Sequence, residues 1–521
     1  MRRPLVAGLL VVLVTVTGCT RGGADRDGPV QQVAGERLTE GEFRYGQAPR
    51  PHPKVTYQPD VVLIGAGAEA VRSVTVDGLT WTLDAAAGGV SDLGPGKVMF
   101  VTSRGVGRVV EVHDEGDTRR VTIAPVELTD VIRDGEFASD EPVPIDEPIA
   151  YSAEGALWTD HDAVTAASPP SPGVRPAAFG GTPGALVRPA AGAAGAGRHR
   201  PAVPAARRAP APPEPERVDM PRPSVGSRGV TANGFTTTPR CCRDGVGADI
   251  SYDDGEIRFV ASAMLAMRSP SARFHLAISG GRVRVAELQV HGGGGLSVSI
   301  KGASRVGTDR QLDRRFTIPV DFTVPVGLVL GIPFTLSVTQ ELVVRTAFSA
   351  RDGNLSASGA YDLRGVLGFG YRDGGWGVHR PEGPFMRSSL LDSVKGISVG
   401  ANGAVLAYKA TFTLGIGAFG FKAGLHLGFT VSTGVARGSA LAQFFPLAPG
   451  TRGIDCRGAS LSIDLTYSVG YVIPEPVVKV VNFFLRIFQA RPITSSGGIP
   501  NPPGRVHVFD RKQYDPPGCV A

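Results

Sequence analysis

Short runs in which apolar and polar positions alternate, bounded by Gly, Pro, Asp and Asn, recur along most of this chain. A period of two is the mark of half-buried strands. Between residues 55 and 149 the pattern predicts six strands: Val61 to Ile64, Ser73 to Val76, Thr80 to Leu83, Lys97 to Thr102, Arg108 to His113 and Arg119 to Ile123. Asp77-Gly78 and Leu93-Gly94-Pro95-Gly96 fall between runs, where turn residues belong. This stretch reads as a small β domain.

From residue 235 the alternation resumes and continues toward the C-terminus. Runs at Glu256 to Met264, Ala272 to Ser279, Arg282 to Val290, Gly295 to Lys301, Arg315 to Val324, Phe334 to Phe348, Leu355 to Leu363 and Val366 to Tyr371 predict strands. Asp254-Gly255, Gly280-Gly281, Asp352-Gly353 and Asp373-Gly374 punctuate them as hairpin turns. Phe412, Leu414 and Ile416 share one face, whereas Phe419, Phe421, Leu425, Leu427 and Phe429 have the other parity, so a bulge or turn is expected near Gly417-Ala418. Gly420, Gly424 and Gly428 fall on the opposite side, where another backbone is expected to approach. Two stretches depart from the β pattern. Ser388 to Lys395 suits one short helix. In Pro476 to Gln489 a narrow polar stripe (Lys479, Asn482, Arg486, Gln489) on an otherwise apolar segment predicts a helix that covers a sheet.

Residues 150–234 separate the two β regions and have no apolar period. Fourteen of the 42 prolines lie between 166 and 230, beside Ala/Gly runs. Such a stretch cannot bury a core and reads as a disordered linker. Its Arg/Ala/Pro texture also fits a frameshifted stretch of a high-GC gene, which resequencing distinguishes.

The N-terminus has another character. Met1-Arg2-Arg3 is a basic start, Leu5 to Val16 is an apolar run interrupted by Thr15, and Val16-Thr17-Gly18-Cys19 follows. The run is too short to span a bilayer and has the layout of a secretory signal. With the cysteine directly after Gly18, it resembles the lipobox of bacterial lipoproteins. That resemblance implies a signal peptide over 1–18, cleavage before Cys19, and a thioether-linked diacylglycerol on Cys19. Residues 19–54 would then tether the folded part to the cell membrane on its extracytoplasmic face. The acyl chains would hold it there, each buried methylene contributing about 0.8 kcal/mol. The motif says nothing of the fold, and no named family is apparent for the β domains.

Composition refines this picture. Glycine (70) and proline (42) favour strands and turns. Arginine outnumbers lysine, 46 to 8, the bias of a high-GC genome such as an actinobacterial one. The formal charge of +6 traces to the leader and the linker, where nine arginines face Glu214, Glu216 and Asp219. The rest is near neutral, which argues against nucleic-acid binding. Setting Cys19 aside, four cysteines remain as disulfide candidates in an exported chain: Cys241, Cys242, Cys456 and Cys519. Bonding the adjacent pair to each other needs a strained ring, so each is expected to reach Cys456 or Cys519.

Motifs for chemistry are weak. Gly65-Ala66-Gly67-Ala68-Glu69-Ala70 has the spacing of a dinucleotide fingerprint, but a strand follows where a helix is needed. Gly396-Ile397-Ser398-Val399-Gly400 matches a nucleophile elbow with the flanking elements reversed. His426, His507 and Asp464 complete a triad with Ser398 only on paper. Asp253-Asp254-Gly255-Glu256 offers oxygens for a cation but reads as a hairpin turn. Neither a catalytic residue nor a metal or cofactor site is therefore assigned. The expected fold is mainly β: a small N-terminal β domain, then a large antiparallel sandwich-like domain over 235–521 with a helix at 476–489. The expected function is a lipid-anchored, non-enzymatic binding or structural module at the cell surface, its ligand or partner unknown. The alternatives are a carrier or sensor of an apolar ligand and, less favoured, a serine hydrolase.

Overall fold

The computed structural model describes residues 31–33, 36–139, 141–152, 161–162, 219–225, 229–232, 234–306, 312–348, 352–396, 402–417, 421–439, 455–473, 478, 482 and 494–517. It is mainly β, and the lipobox with Cys19 lies outside these residues. An N-terminal sheet is built from β1 (Val61–Leu63), β2 (Val71–Val74), β3 (Thr80–Asp84), β4 (Val98–Phe100), β5 (Val106–Glu115) and β6 (Thr118–Ala124), in the order β1-β4-β5-β6-β3-β2. Only the β1–β4 pair is parallel. The alternation expected in this region is realised. Trp81 and Leu83 of β3 are buried while Thr80, Thr82 and Asp84 are half-exposed, and the Trp81 indole donates to the Gly78 carbonyl at 2.9 Å.

Two large sheets follow. The first runs through β9 (Phe235–Arg240), β10 (Gly245–Asp253), β11 (Ile257–Ser279), β12 (Arg282–Ser304), β15 (Gly353–Arg372) and β16 (Gly375–His379). The second runs through β8 (Ile149–Ser152), β13 (Asp313–Val329), β14 (Ile332–Phe348), β17 (Asn402–Ile416), β18 (Lys422–Ser439), β19 (Asp455–Val472) and β20 (Ser496–Asp515). Every pair in both is antiparallel, and each sheet is an open path rather than a closed barrel. They pack face to face over one apolar core, with Phe235 against Phe316 at 4.8 Å and Phe369 against Tyr467 at 5.7 Å between ring centres. β7 (Ile132–Ala138) adds to β11 alongside β10, and its ring Phe137 meets Phe334 of the opposite sheet.

Several expectations change. The pairs of runs expected at 256–264 and 272–279, at 282–290 and 295–301, and at 355–363 and 366–371 are single long strands, β11, β12 and β15. β11 and β12 have 23 residues each, roughly 75 Å at about 3.3 Å per residue. The Gly-rich and Pro-containing breaks within them are bulges. The β11–β12 register shifts around Met267 to Ser271, opposite Gly292 at φ +97°. A bulge bends a strand without ending its ladder, which is why glycine there resembles a turn in the sequence. Ser389 to Val394 forms a compact turn rather than the short helix expected at Ser388 to Lys395. Val394 N–H closes it on the Leu391 carbonyl, and Lys395 bridges to Ser356. Of the 476–489 helix only Val478 and Asn482 are described, both helical. Val478 is buried in the cluster that holds Phe421 and Ile473. The expected break at Gly417-Ala418 is the β17–β18 hairpin, with Gly417 at φ +138°. Gly420 lies outside the described residues. A Cβ on Gly424 would fall 2.1 Å from the Leu414 carbonyl of the next strand, whereas at Gly428 it would meet the Thr466 side chain.

The boundaries also differ in kind. The segment from Ile132 to Ser152, grouped in sequence with the small domain, supplies strands to both large sheets. On the far side of the expected linker, Ser224–Val225 pairs with β8 and Val230–Ala232 with β9. Thr75, directly after β2, bridges to Asp219. Most of 150–234 lies outside the described residues.

Candidate functional site

The two sheets and the N-terminal domain meet at one end of the sandwich, and a cleft of about 470 Å³ opens there. Its walls are turns and strand ends: Gly281 to Arg284 at the start of β12, Tyr371 to Gly374 at the β15–β16 turn, Val469 and Gly470 of β19, Gly498 and Ile499 of β20, and Glu127 to Thr129 before β7. The Asp373-Gly374 turn makes Tyr371 and Trp376 a cross-strand pair with rings 4.8 Å apart. Trp376 also meets Tyr467 of the opposite sheet at 5.0 Å. The aromatic group therefore ties the two sheets together beside the cleft. Apolar surface comes from Leu128, Val283, Tyr371, Val469 and Ile499.

Charges stand around this apolar floor. Arg284 lies 4.0 Å from Asp373. The Glu127 carboxylate accepts the Thr129 hydroxyl at 3.4 Å; burial, and then the neighbouring Asp130, push its pKa up. Arg282 is exposed and has no ion-pair partner among the described residues.

A second polar cluster lies between the N-terminal domain and the outer face of the second large sheet. Arg104, in the loop after β4, is 2% exposed and Asp321 1%. Lys422 Nζ donates to Asp321 Oδ2 at 2.6 Å, and Arg104 Nη1 stands 3.7 Å from the same oxygen. Arg104 also donates to Thr323 at 3.3 Å and lies over the Tyr151 ring at 3.5 Å. Burial lowers the Lys422 pKa, with Asp321 opposing, and raises that of Tyr151 to about 12. Beside this cluster Thr323, Ser337, Thr413, His426 and Ser468 lie opposite one another across five strands, all buried. This polar row occupies positions whose counterparts elsewhere in the sheet face water. Gly417 N–H donates to the Ser103 carbonyl at 2.7 Å, pinning the same loop. The arrangement joins two parts of the fold and leaves little room for a ligand.

A family model described as a domain of unknown function (DUF8402) matches residues 217–501, more than half of the chain. The chain belongs to this family. A second, also described as a domain of unknown function (DUF8403), matches residues 41–134. The 41–134 match ends in β7, where the backbone leaves the N-terminal domain, and the 217–501 match begins just before the Asp219 bridge. No curated protein and no solved structure matches the chain.

The residues singled out in the sequence fall as follows. Cys241 and Cys242 lie side by side as a close, disulfide-like pair, where each was expected to reach a distant cysteine. Both occupy the β9–β10 turn. Gln340 contacts the Arg240 carbonyl and aligns in register with Leu465, and from there to Cys456 along β19 is roughly 30 Å at about 3.3 Å per residue. Cys456 is also disulfide-bonded, and Cys519 lies outside the described residues. Asp464 and His507 do come together: the buried carboxylate accepts from His507 Nδ1 and from Arg505, each at 2.7 Å. Burial opposes ionisation of Asp464, but these two partners outweigh it and keep its pKa low. His426 does not join them. It contacts the Thr413 hydroxyl at 3.0 Å and the Gly470 carbonyl at 3.2 Å. Ser398 lies outside the described residues. The Asp253-Asp254 carboxylates accept N–H groups of their own turn, and no cluster of three metal-ligating side chains occurs among the described residues. Gly67–Ala70 is a single 3₁₀ turn leading into β2, not the helix a dinucleotide site needs.

The cleft itself was not read from the sequence. The Gly280-Gly281 and Asp373-Gly374 turns were visible, and they place Arg282 and Tyr371 beside hairpin ends. What the sequence lacked was the stacking of two sheets that brings those ends together.

Proposed function

We propose that this protein is an extracytoplasmic lipoprotein, held at the membrane through Cys19, whose folded part is a non-enzymatic binding module with the end cleft as its ligand site. The observation that carries the reading is the cleft of about 470 Å³, within the roughly 300–1,000 Å³ range of small-molecule sites. Its walls come from both sheets and the junction segment, so its shape is fixed by the fold as a whole. A mostly apolar floor with a few charges beside it is the composition of small-molecule sites. The test is native mass spectrometry of the protein released gently from membranes. A small molecule bound to the wild type and missing from Val283→Trp, which fills the cleft, supports the proposal. A protein with no such adduct, or one whose adduct survives Val283→Trp, contradicts it.

A further inference from the structure

Taking the end cleft as a binding site, we propose that its ligand is a single-chain amphiphile carrying one acidic group. The chain would lie on Tyr371, Val283, Val469 and Ile499, and the acid would pair with Arg282. The argument begins from the charges. Of the four charged side chains at the rim, Arg284 and Asp373 face each other at 4.0 Å. Glu127 is held within its own turn, accepting from Thr129 while Asp130 accepts its backbone N–H. Arg282 is left with a guanidinium free of any carboxylate among the described residues, standing next to the apolar Val283. A forked donor above an apolar floor suits a carboxylate or phosphate attached to a hydrocarbon.

Volume limits the size. With roughly 30 Å³ for a water-sized group, a cleft of about 470 Å³ holds on the order of 16 non-hydrogen atoms. That accommodates one medium-length acyl chain with its acid, and a second chain would have to lie outside the cleft. Ile499, 37% exposed at the rim of the cleft, is the kind of residue such a chain would cover.

The experiment uses the mature chain with Cys19→Ser, so that no attached acyl chain competes, and isothermal titration below the micellar concentration of each probe. The probes are myristate, tetradecyl phosphate and the uncharged 1-tetradecanol. The expected result is that both acids bind at least ~10-fold tighter than the alcohol, and that Arg282→Ala removes this advantage while leaving alcohol binding unchanged. Their ranking tells a carboxylate from a phosphate ligand. If the alcohol binds as well as the acids, or Arg282→Ala leaves the acids unaffected, recognition of the acid is overturned while the cleft stands as an apolar site. If none of the probes binds, the amphiphile proposal fails outright, and the native mass spectrometry described above still decides whether the cleft binds anything. Because Arg282 is exposed and unpaired, its replacement leaves the fold intact.

Discussion

His426 is an imidazole enclosed in the second large sheet, and burial depresses its pKa to about 4, from an ordinary value near 6.5. Its neutral form accepts or donates within the Thr413 and Gly470 pair, and the charged form has no counter-ion there. The folded-state pKa is below the unfolded one, so the unfolded chain takes up the proton first as pH falls. The stability this residue contributes is therefore complete above about pH 6.5 and is lost between about 6.5 and 4. The difference corresponds to about 3 kcal/mol. Urea titrations across this range should show His426→Gln with a flatter loss of stability than the wild type; parallel curves would contradict the assignment. In the sequence His426 was one isolated histidine among nine. Its environment depends on Ser468 and Thr413 of neighbouring strands, and strand neighbours are not written in local spacing. Asp464 and His507 were named together in the sequence for a triad. They meet for a simpler reason, being cross-strand partners in the β19–β20 ladder.

At the scale of elements, alternation marked the six strands of the N-terminal sheet and the long strands β11 to β15, because a sheet with one buried face must alternate, but it gave no run for β7 to β10, β16, β19 or β20. It failed on length. Breaks at Met267 to Ser271, at His291 to Gly294 and near Gly365 have the residues of turns, yet the ladder continues through them. Local composition cannot tell a bulge from a turn; only the partner strand does so. Gly292 illustrates the constraint. It sits at φ +97°, and a Cβ there would come within 2.6 Å of the Arg268 carbonyl. Gly292→Val should destabilise by at least about 2 kcal/mol in equilibrium unfolding, whereas Gly370→Ala, with open space at its Cβ position, should change little. Equal effects would mean that the bulge does not constrain the backbone as described. Near the N-terminal domain the alternation is also overlaid by a second buried face. β18 is buried at every position from Lys422 to Phe429, so polar residues there cannot be read as solvent-facing.

For the whole molecule, the N-terminal sheet and the sandwich are joined by a buried charge cluster rather than by a flexible hinge. Two cations, Arg104 and Lys422, share one carboxylate, Asp321. Removing that carboxylate leaves two buried like charges, whereas removing Lys422 leaves a balanced Arg104–Asp321 pair. Asp321→Asn should therefore cost about 3–5 kcal/mol and Lys422→Met markedly less, measured by chemical denaturation. Amide exchange in β5 and β6 should rise in Asp321→Asn, reporting a loosened N-terminal domain. If the two variants were equally harmful, Lys422 would be contributing more than a share of one anion. None of this cluster was legible in the sequence, since Arg104, Asp321 and Lys422 are far apart along the chain and each alone resembles a surface residue.

The functional account depends on where this folded body is held. The most direct measurement is the mass of the N-terminal peptide of the protein purified from membranes of its own cells. A peptide beginning at Cys19 and carrying a diacylglycerol is the predicted result. A peptide that retains residues 1–18, or an unacylated Cys19 on protein recovered from the cytosol, would contradict it.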